Sequence, residues 1–387
     1  MSPDRVRHDA PEGMRTVPRP RLLFVVTEDW YFRSHRLALA KAAIAAGFDV
    51  AVATRVANHA GAIEELGVRV VPFAIDRGGM NLLRDALTIA RLAILYRRER
   101  PDIVHHVAMK PVLYGSLAAR MAGVRRIVNA LAGMGWLFTA ERSAQGRLPA
   151  VVGRLMRSAL RSTCVIVQNP DDAAAVAEQW SPADLRVIRG AGVDCHAFTP
   201  VPTPPEPPLV VLPARMLADK GVNEFVDAAR MVKASGHLAR FALVGAPDPA
   251  NPASIPVTQL AAWRDEGSVE WWGHREDMPA VYAQAHLVCL PSYREGLPKS
   301  LLEAAACGLP IVAADVTGCR EVVRDGYNGL LVPPRDAAAL SAALLRLIAE
   351  PNTRKLMGAR GRQRARQEFA QERIVAETIA VYRELLA

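Results

Sequence analysis

An α/β protein of two doubly wound parallel-sheet domains is the fold that the sequence predicts, on three observations. Short apolar runs alternate with helical stretches along almost the whole chain, the pattern of a parallel sheet covered on both faces. The 387 residues, 51% of them apolar, are enough for two separate cores. A proline-dense stretch near the middle splits the alternation into two halves.

The first 20 residues are polar, contain Pro and Arg, and lack an apolar core. They are expected to form a disordered tail and not a secretory signal. In the first half, 21–198, Leu22 to Val26 is a buried strand, and a helix follows from about Ser34 to Ala46, stopped by Gly47. Val50 to Ala53, Val68 to Val71 and Asp102 to His105 continue the strands, with a helix near Pro111 to Ala122. Arg126 to Val128 and Cys164 to Val167 complete this half. Thr199 to Pro208 holds six prolines in ten residues. Such a stretch can be neither helix nor central strand, so it is the expected linker. The second half, 209–370, restarts at Leu209 to Leu212 and passes through Phe241 to Gly245, Leu287 to Leu290 and Leu309 to Ala313.

The most informative stretch lies between the last two of those strands. Glu295 and Glu303 stand eight residues apart in Arg294-Glu295-Gly296-Leu297-Pro298, followed by Lys299 to Gly308. Leu287 to Leu290 is the strand before it, Pro298 suits a first helical position, and Gly308-Leu309-Pro310 stops the helix. Glu295 is therefore expected in a loop at a helix N-terminus, and Glu303 about a turn and a half inside the helix. Unpaired N–H groups and partial positive charge at that end, near Gly296, Leu297 and Pro298, suit a diphosphate. Two carboxylates beside it can accept hydrogen bonds from the hydroxyls of a nucleotide sugar. A second loop, Ala214 to Gly221, offers Arg215 and Lys220 after the strand Leu209 to Leu212. Two cations on one strand-to-helix loop can neutralise a pyrophosphate.

From about Arg21 to the end, and through both of these motifs in order, the chain resembles the family-four retaining glycosyltransferases, which have the GT-B architecture of two Rossmann-like domains facing a cleft. The resemblance implies that Glu295 lies beside the transferred sugar, that Glu303 binds the ribose, and that Arg215 and Lys220 clasp the donor diphosphate. It implies retention of anomeric configuration with no obligatory metal, and a last helix, 371–387, that crosses back onto the first domain. The donor half carries no acidic DxD-type motif. Tyr31 to Leu37, Pro101 to His105, Ala132 to Thr139 and Pro291 to Pro298 are similar to one bacterial branch. That branch includes capsule-type transferases and N-acetylgalactosaminyl transferases that extend a diphospho-undecaprenol-linked saccharide. The donor implied is a UDP-sugar and the acceptor a polyprenyl-diphosphate-linked saccharide.

Ligands of such sheets bind outside the carboxyl ends of the strands. Candidate groups at those ends are His35, Lys110, Gly133 and Gly135 for binding the acceptor, and His105 and His106, with Glu295, for catalysis. Relatives carry His-x-His after the Pro-Asp strand, where this chain has His105, His106 and then Val107, so both histidines stay candidates for facing the substrate.

Composition narrows the partners. Lys and Arg number 48 against 39 Asp and Glu, a net charge of +9. No zinc-finger spacing, aromatic RNA-binding strand or dense basic run supports nucleic acid. An anionic membrane surface fits better: Val151 to Arg161 reads as an amphipathic helix with Arg154, Arg157 and Arg161 on one face. Five scattered cysteines without C-x2-C spacing argue for a reducing compartment and against structural zinc. A cytoplasmic protein, peripheral on the inner membrane, is the resulting expectation. Two rivals remain: a non-hydrolysing nucleotide-sugar epimerase of the same architecture, which would need no acceptor, and a non-enzymatic two-lobed sugar-binding protein.

Overall fold

A computed structural model describes residues 19–76, 81–131, 150–249 and 251–387. The first half forms a seven-stranded parallel sheet from β1 (Arg21–Glu28), β2 (Asp49–Arg55), β3 (Arg69–Pro72), β4 (Ile103–Val107), β5 (Arg126–Leu131), β6 (Cys164–Val167) and β7 (Asp184–Val187). Its order is β3-β2-β1-β4-β5-β6-β7. The second half forms a six-stranded sheet from β8 (Leu209–Pro213), β9 (Arg240–Val244), β10 (Glu270–Gly273), β11 (Leu287–Leu290), β12 (Ile311–Ala314) and β13 (Gly329–Val332), in the order β10-β9-β8-β11-β12-β13. Both orders reverse beside the first strand of their half, which places a crevice at the strand ends there.

Burial on both faces follows from the strand period of two. Leu22, Phe24 and Val26 of β1 join one core, and Leu23 and Val25 join the other. The same alternation separates the neighbouring histidines of β4. His105 shares a face with Ile103 and Val107, while His106 shares the opposite face with Val104. All five cysteines are buried and unpaired.

The expected helix from Ser34 to Ala46 is two helices, Asp29–His35 and Leu37–Ala45, joined at Arg36, whose ψ of −10° breaks the run. Buried Asp29 explains the earlier start. Its carboxylate accepts from the backbone N–H groups of Trp30, Ala57 and His59 at 2.7, 2.7 and 3.0 Å. Burial raises its pKa, but these three bonds hold it below the usual carboxylate range. Residues 199–208 contain no helix or strand. Buried Arg354 pins this stretch to the second half through a 2.7 Å bond to Glu206.

The final helix, Gln371–Leu386, leaves the second half and packs on the first. Ile374, Ile379, Val381 and Tyr382 belong to the same core as Phe24 and Phe48. Where the chain crosses, Val193 exchanges backbone hydrogen bonds with Phe369 and Gln371, both 2.9 Å. The helix Ala150–Leu160 buries Met156 and Leu160 against Val112 and Trp180 of its own half. Arg157 donates to the Gln179 carbonyl at 3.0 Å. Part of its apolar side is therefore taken by its own domain, while Leu155 stays 39% exposed and Arg154, Arg157 and Arg161 face solvent.

Candidate active site

Two loops of the second half meet and build one charged centre. The loop after β8 ends in a one-turn 3-10 helix, Ala218–Lys220, and the loop after β11 runs from Pro291 to Pro298. Gly221, at φ +72°, lets them touch: a Cβ there would lie 2.1 Å from the Pro291 carbonyl oxygen. The Asp219 carbonyl accepts from the Ser292 hydroxyl at 3.0 Å and the Tyr293 N–H at 2.9 Å. Its carboxylate holds Arg294 at 3.2 Å.

This knitting delivers Lys220 to Glu295, with Nζ 2.6 Å from Oε1 and side chains only 20% and 11% exposed. Arg215, on the same loop as Lys220, is held by Asp248 at 2.7 Å and is 42% exposed. Pro298 caps the helix Lys299–Ala306 from just outside, one residue off its expected first-turn position. Glu303 is buried on that helix. It accepts from the Tyr282 hydroxyl at 3.1 Å and lies 3.4 Å from the Lys299 ammonium. Burial raises the Glu303 pKa, against the lowering by Lys299 and by the Tyr282 bond.

The loop also touches the first half. Lys299 Nζ donates to the Ser34 carbonyl at 2.9 Å. Asn169 donates to the Gly296 carbonyl at 3.1 Å, and Leu297 lies over Gly190. Gly296, Leu297 and Pro298 thus sit between the two halves, at the N-terminus of a buried helix. On the far side Gly318 packs on the loop's backbone, where a Cβ would stand 2.5 Å from the Glu295 carbonyl oxygen and 2.6 Å from that of Gly296. Gly318→Ala should therefore push the loop, cost about 1–3 kcal/mol of stability and lower turnover up to about 100-fold. Urea denaturation and initial rates read the two effects, and unchanged rates would show that Glu295 does not depend on this packing.

The residues expected to face an acceptor fare differently. His35 stacks on Tyr31, ring centroids 4.2 Å apart, and burial followed by the charges of Lys299 and Arg36 pushes its pKa down to about 3. It is a neutral imidazole beside the loop from Pro291 to Pro298. Lys110 donates to the Asp76 carbonyl at 2.8 Å. His106 is fully buried, with Nδ1 2.8 Å from Asn129 Oδ1 and Nε2 3.0 Å from the Tyr96 hydroxyl. Both nitrogens are taken by protein, so the catalytic role considered for His106 is corrected: the strand alternation turns it into the core. His105 points to the other face, where Nδ1 meets the Tyr382 hydroxyl and Nε2 has no partner. Gly133 and Gly135 lie outside the described residues.

Four contributors were not singled out from the sequence. Lys299 had a signal, one helical turn before Glu303, inside the motif itself. Asp248, Tyr282 and Asn169 had none, because each reaches the site from another segment.

A family model described as glycosyl transferases group 1 matches residues 207–350, and one described as glycosyl transferase 4-like matches residues 21–169. The chain is 30% identical over 344 residues to the alpha-maltose-1-phosphate synthase of Mycolicibacterium smegmatis, covering 78% of this chain and 84% of that protein. It is 26% identical over 330 residues to the N,N'-diacetylbacillosaminyl-diphospho-undecaprenol alpha-1,3-N-acetylgalactosaminyltransferase of Campylobacter jejuni, covering 81% and 85%. Among solved structures, sucrose-phosphate synthase from Thermosynechococcus elongatus superposes with a TM-score of 0.78 at 21% identity, over 95% of this chain and 99% of that one. Anabaena HepE in complex with UDP and glucose gives 0.74 at 20% identity, over 93% and 99%. Both halves match in chain order and the two-sheet architecture is shared, so the chain belongs to the family-four glycosyltransferases of GT-B fold.

Proposed function

We propose that the protein transfers a sugar, a hexose or N-acetylhexosamine, from a UDP-sugar to a polyprenyl-diphosphate-linked saccharide, with retention of configuration. The observation that carries this reading is the pairing of Lys220 with Glu295 at 2.6 Å, beside the start of a helix that buries Glu303. The nucleoside diphosphate leaves with growing negative charge. Lys220, Arg215 and the N–H groups at the start of the helix Lys299–Ala306 would stabilise it, so that no metal ion is obligatory. Glu303 would accept from the ribose hydroxyls, and Glu295, on the loop between the halves, would orient the transferred sugar. The UDP preference and the lipid-linked acceptor rest on the named activity of the Campylobacter relative and on the UDP held by HepE.

The test is transfer of radiolabel from a panel of UDP-sugars into a polyprenyl-diphosphate-saccharide. Label should enter the lipid fraction and depend on Glu295. An epimerase would instead convert UDP-N-acetylglucosamine with no acceptor present, and that outcome would replace the reading.

A lipid acceptor calls for a membrane face, and among the described residues no helix is long and apolar enough to cross a membrane. The helix Leu82–Glu99 supports a peripheral contact on the cytoplasmic leaflet. Leu82, Leu83, Leu87 and Ile94 are 88%, 85%, 50% and 64% exposed, alongside the exposed cations Arg84, Arg91 and Arg98. Apolar side chains flanked by Arg suit an anionic lipid surface, as does the net charge of +9. Replacing Leu82, Leu83 and Ile94 together by Ser should weaken co-sedimentation with anionic phospholipid vesicles about tenfold or more. Equal sedimentation would remove this face from the contact.

A further inference from the structure

Three arginines of the described residues are buried: Arg36, Arg354 and Arg364. Two of them are fully provided for. Arg354 donates to the Leu347 and Ile348 carbonyls and to Glu206, and Arg364 to the Val322 and Glu321 carbonyls and to Glu368. Arg36 is the exception. It is 7% exposed, its Nε has no partner, and among the described residues no carboxylate or carbonyl meets its guanidinium. A buried cation left alone in this way is costly.

The space beside it is partly polar and partly apolar. Arg36, His105, Gln168 and Thr378, with Gly190 and the apolar Ala130, Leu131, Ile166 and Ile188, line a cavity of about 10 Å³, room for one water-sized group. His105 Nε2 is the other unpartnered buried atom there. The Tyr382 hydroxyl lies 2.5 Å from His105 Nδ1. A phenol O–H that donates to Nδ1 leaves the imidazole proton on Nε2, so the ring offers the cavity a donor. A guanidinium and an N–H donor converging on one small space, with no acid among the described residues to balance them, describe a seat for a single anionic oxygen.

Position indicates whose oxygen it is. Both side chains belong to the first half, while the donor diphosphate has its own cations in Arg215 and Lys220. Yet the cavity adjoins the donor loop, since Gly190 lies under Leu297 and Ser34, two residues before Arg36, accepts from Lys299. We infer that Arg36 and His105 Nε2 bind a phosphoryl oxygen of the acceptor, an inference that rests on the lipid-diphosphate reading proposed above.

Two measurements on Arg36→Gln test it. The first compares a polyprenyl-diphosphate-linked saccharide with the same saccharide on a neutral alkyl chain. Discrimination in favour of the diphosphate acceptor should fall about tenfold or more, with the donor KM unmoved. Arg36→Lys should restore part of it. The melting temperature of the ligand-free variant should equal or exceed that of the parent, because an unbalanced buried charge is gone. A lower melting temperature with unchanged discrimination would make Arg36 a structural residue, and a moved donor KM would assign it to the donor; either overturns the inference. The second measurement adds inorganic pyrophosphate to an Arg215→Ala/Lys220→Ala protein, where the donor cations are silenced. Pyrophosphate should raise its melting temperature, and further Arg36→Gln should abolish the rise. If that holds while no lipid acceptor is glycosylated, the anion site stands and the acceptor reading fails. No pyrophosphate response with Arg36 intact overturns the site itself.

Discussion

Lys220→Ala is expected to lower kcat by about 100- to 1000-fold, the usual consequence of removing one preorganised group that stabilises developing charge. The same substitution should destabilise the fold. Glu295 is only 11% exposed on its side chain, and without Lys220 its carboxylate stays in the crevice with its 2.6 Å partner missing. Breaking a buried pair from one side costs about 3–5 kcal/mol, whereas removing both partners costs much less. Lys220→Met combined with Glu295→Gln should therefore regain stability over either single variant while remaining inactive. A double-mutant cycle read by urea denaturation and by initial rates separates the two roles. If the single variants keep full turnover, the pair is structural and the donor must be held elsewhere.

What could be read from the sequence follows the range over which its physics acts. The strands of both sheets are short, doubly buried apolar runs, and their period and turn signals are local, so Leu22 to Val26 or Leu287 to Leu290 stand out unaided. The loop from Pro291 to Pro298 was legible for a similar reason: Glu295, Pro298 and Glu303 lie within one strand-turn-helix unit, and helical geometry brings them to one end. Pairings across segments were not legible. Nothing local says that Glu303 will meet Tyr282, 21 residues earlier, or that Arg215 will meet Asp248. The histidines show the limit most clearly. His105 and His106 read alike as strand-end imidazoles, but adjacent strand residues face opposite sides, and only the packing reveals which side holds Tyr96 and Asn129 and which holds the returning Tyr382. Arg36 was hidden differently. Its neighbours read as one continuous helix, and no glycine or proline marks the break that the backbone makes at Arg36.

Glu303→Gln should act in opposite directions on the empty and the donor-bound protein. Burial holds the Glu303 carboxyl above the usual carboxylate range, even with Lys299 and the Tyr282 hydroxyl pulling it down. A carboxyl raised on folding favours the folded state below its unfolded pKa, and that contribution is lost as pH rises through the folded value. Above its unfolded pKa Glu303 is thus a net burden on the empty fold, and a neutral glutamine of the same shape should raise the melting temperature there. On the reading proposed above, donor binding has the reverse requirement, because a carboxylate offers one charged acceptor oxygen to each ribose hydroxyl whereas glutamine offers a single neutral one. Hydrogen bonds to a charged group contribute about 1.5–3 kcal/mol, so the variant should bind a UDP-sugar about 10- to 100-fold more weakly. In the parent protein donor affinity should fall as pH is lowered through the Glu303 titration, and in the glutamine variant it should be flat over that range. Calorimetric titration with UDP across the acid range measures both curves. Parallel curves would mean that Glu303 does not touch the nucleotide, and the ribose would have to be recognised by another part of the second sheet.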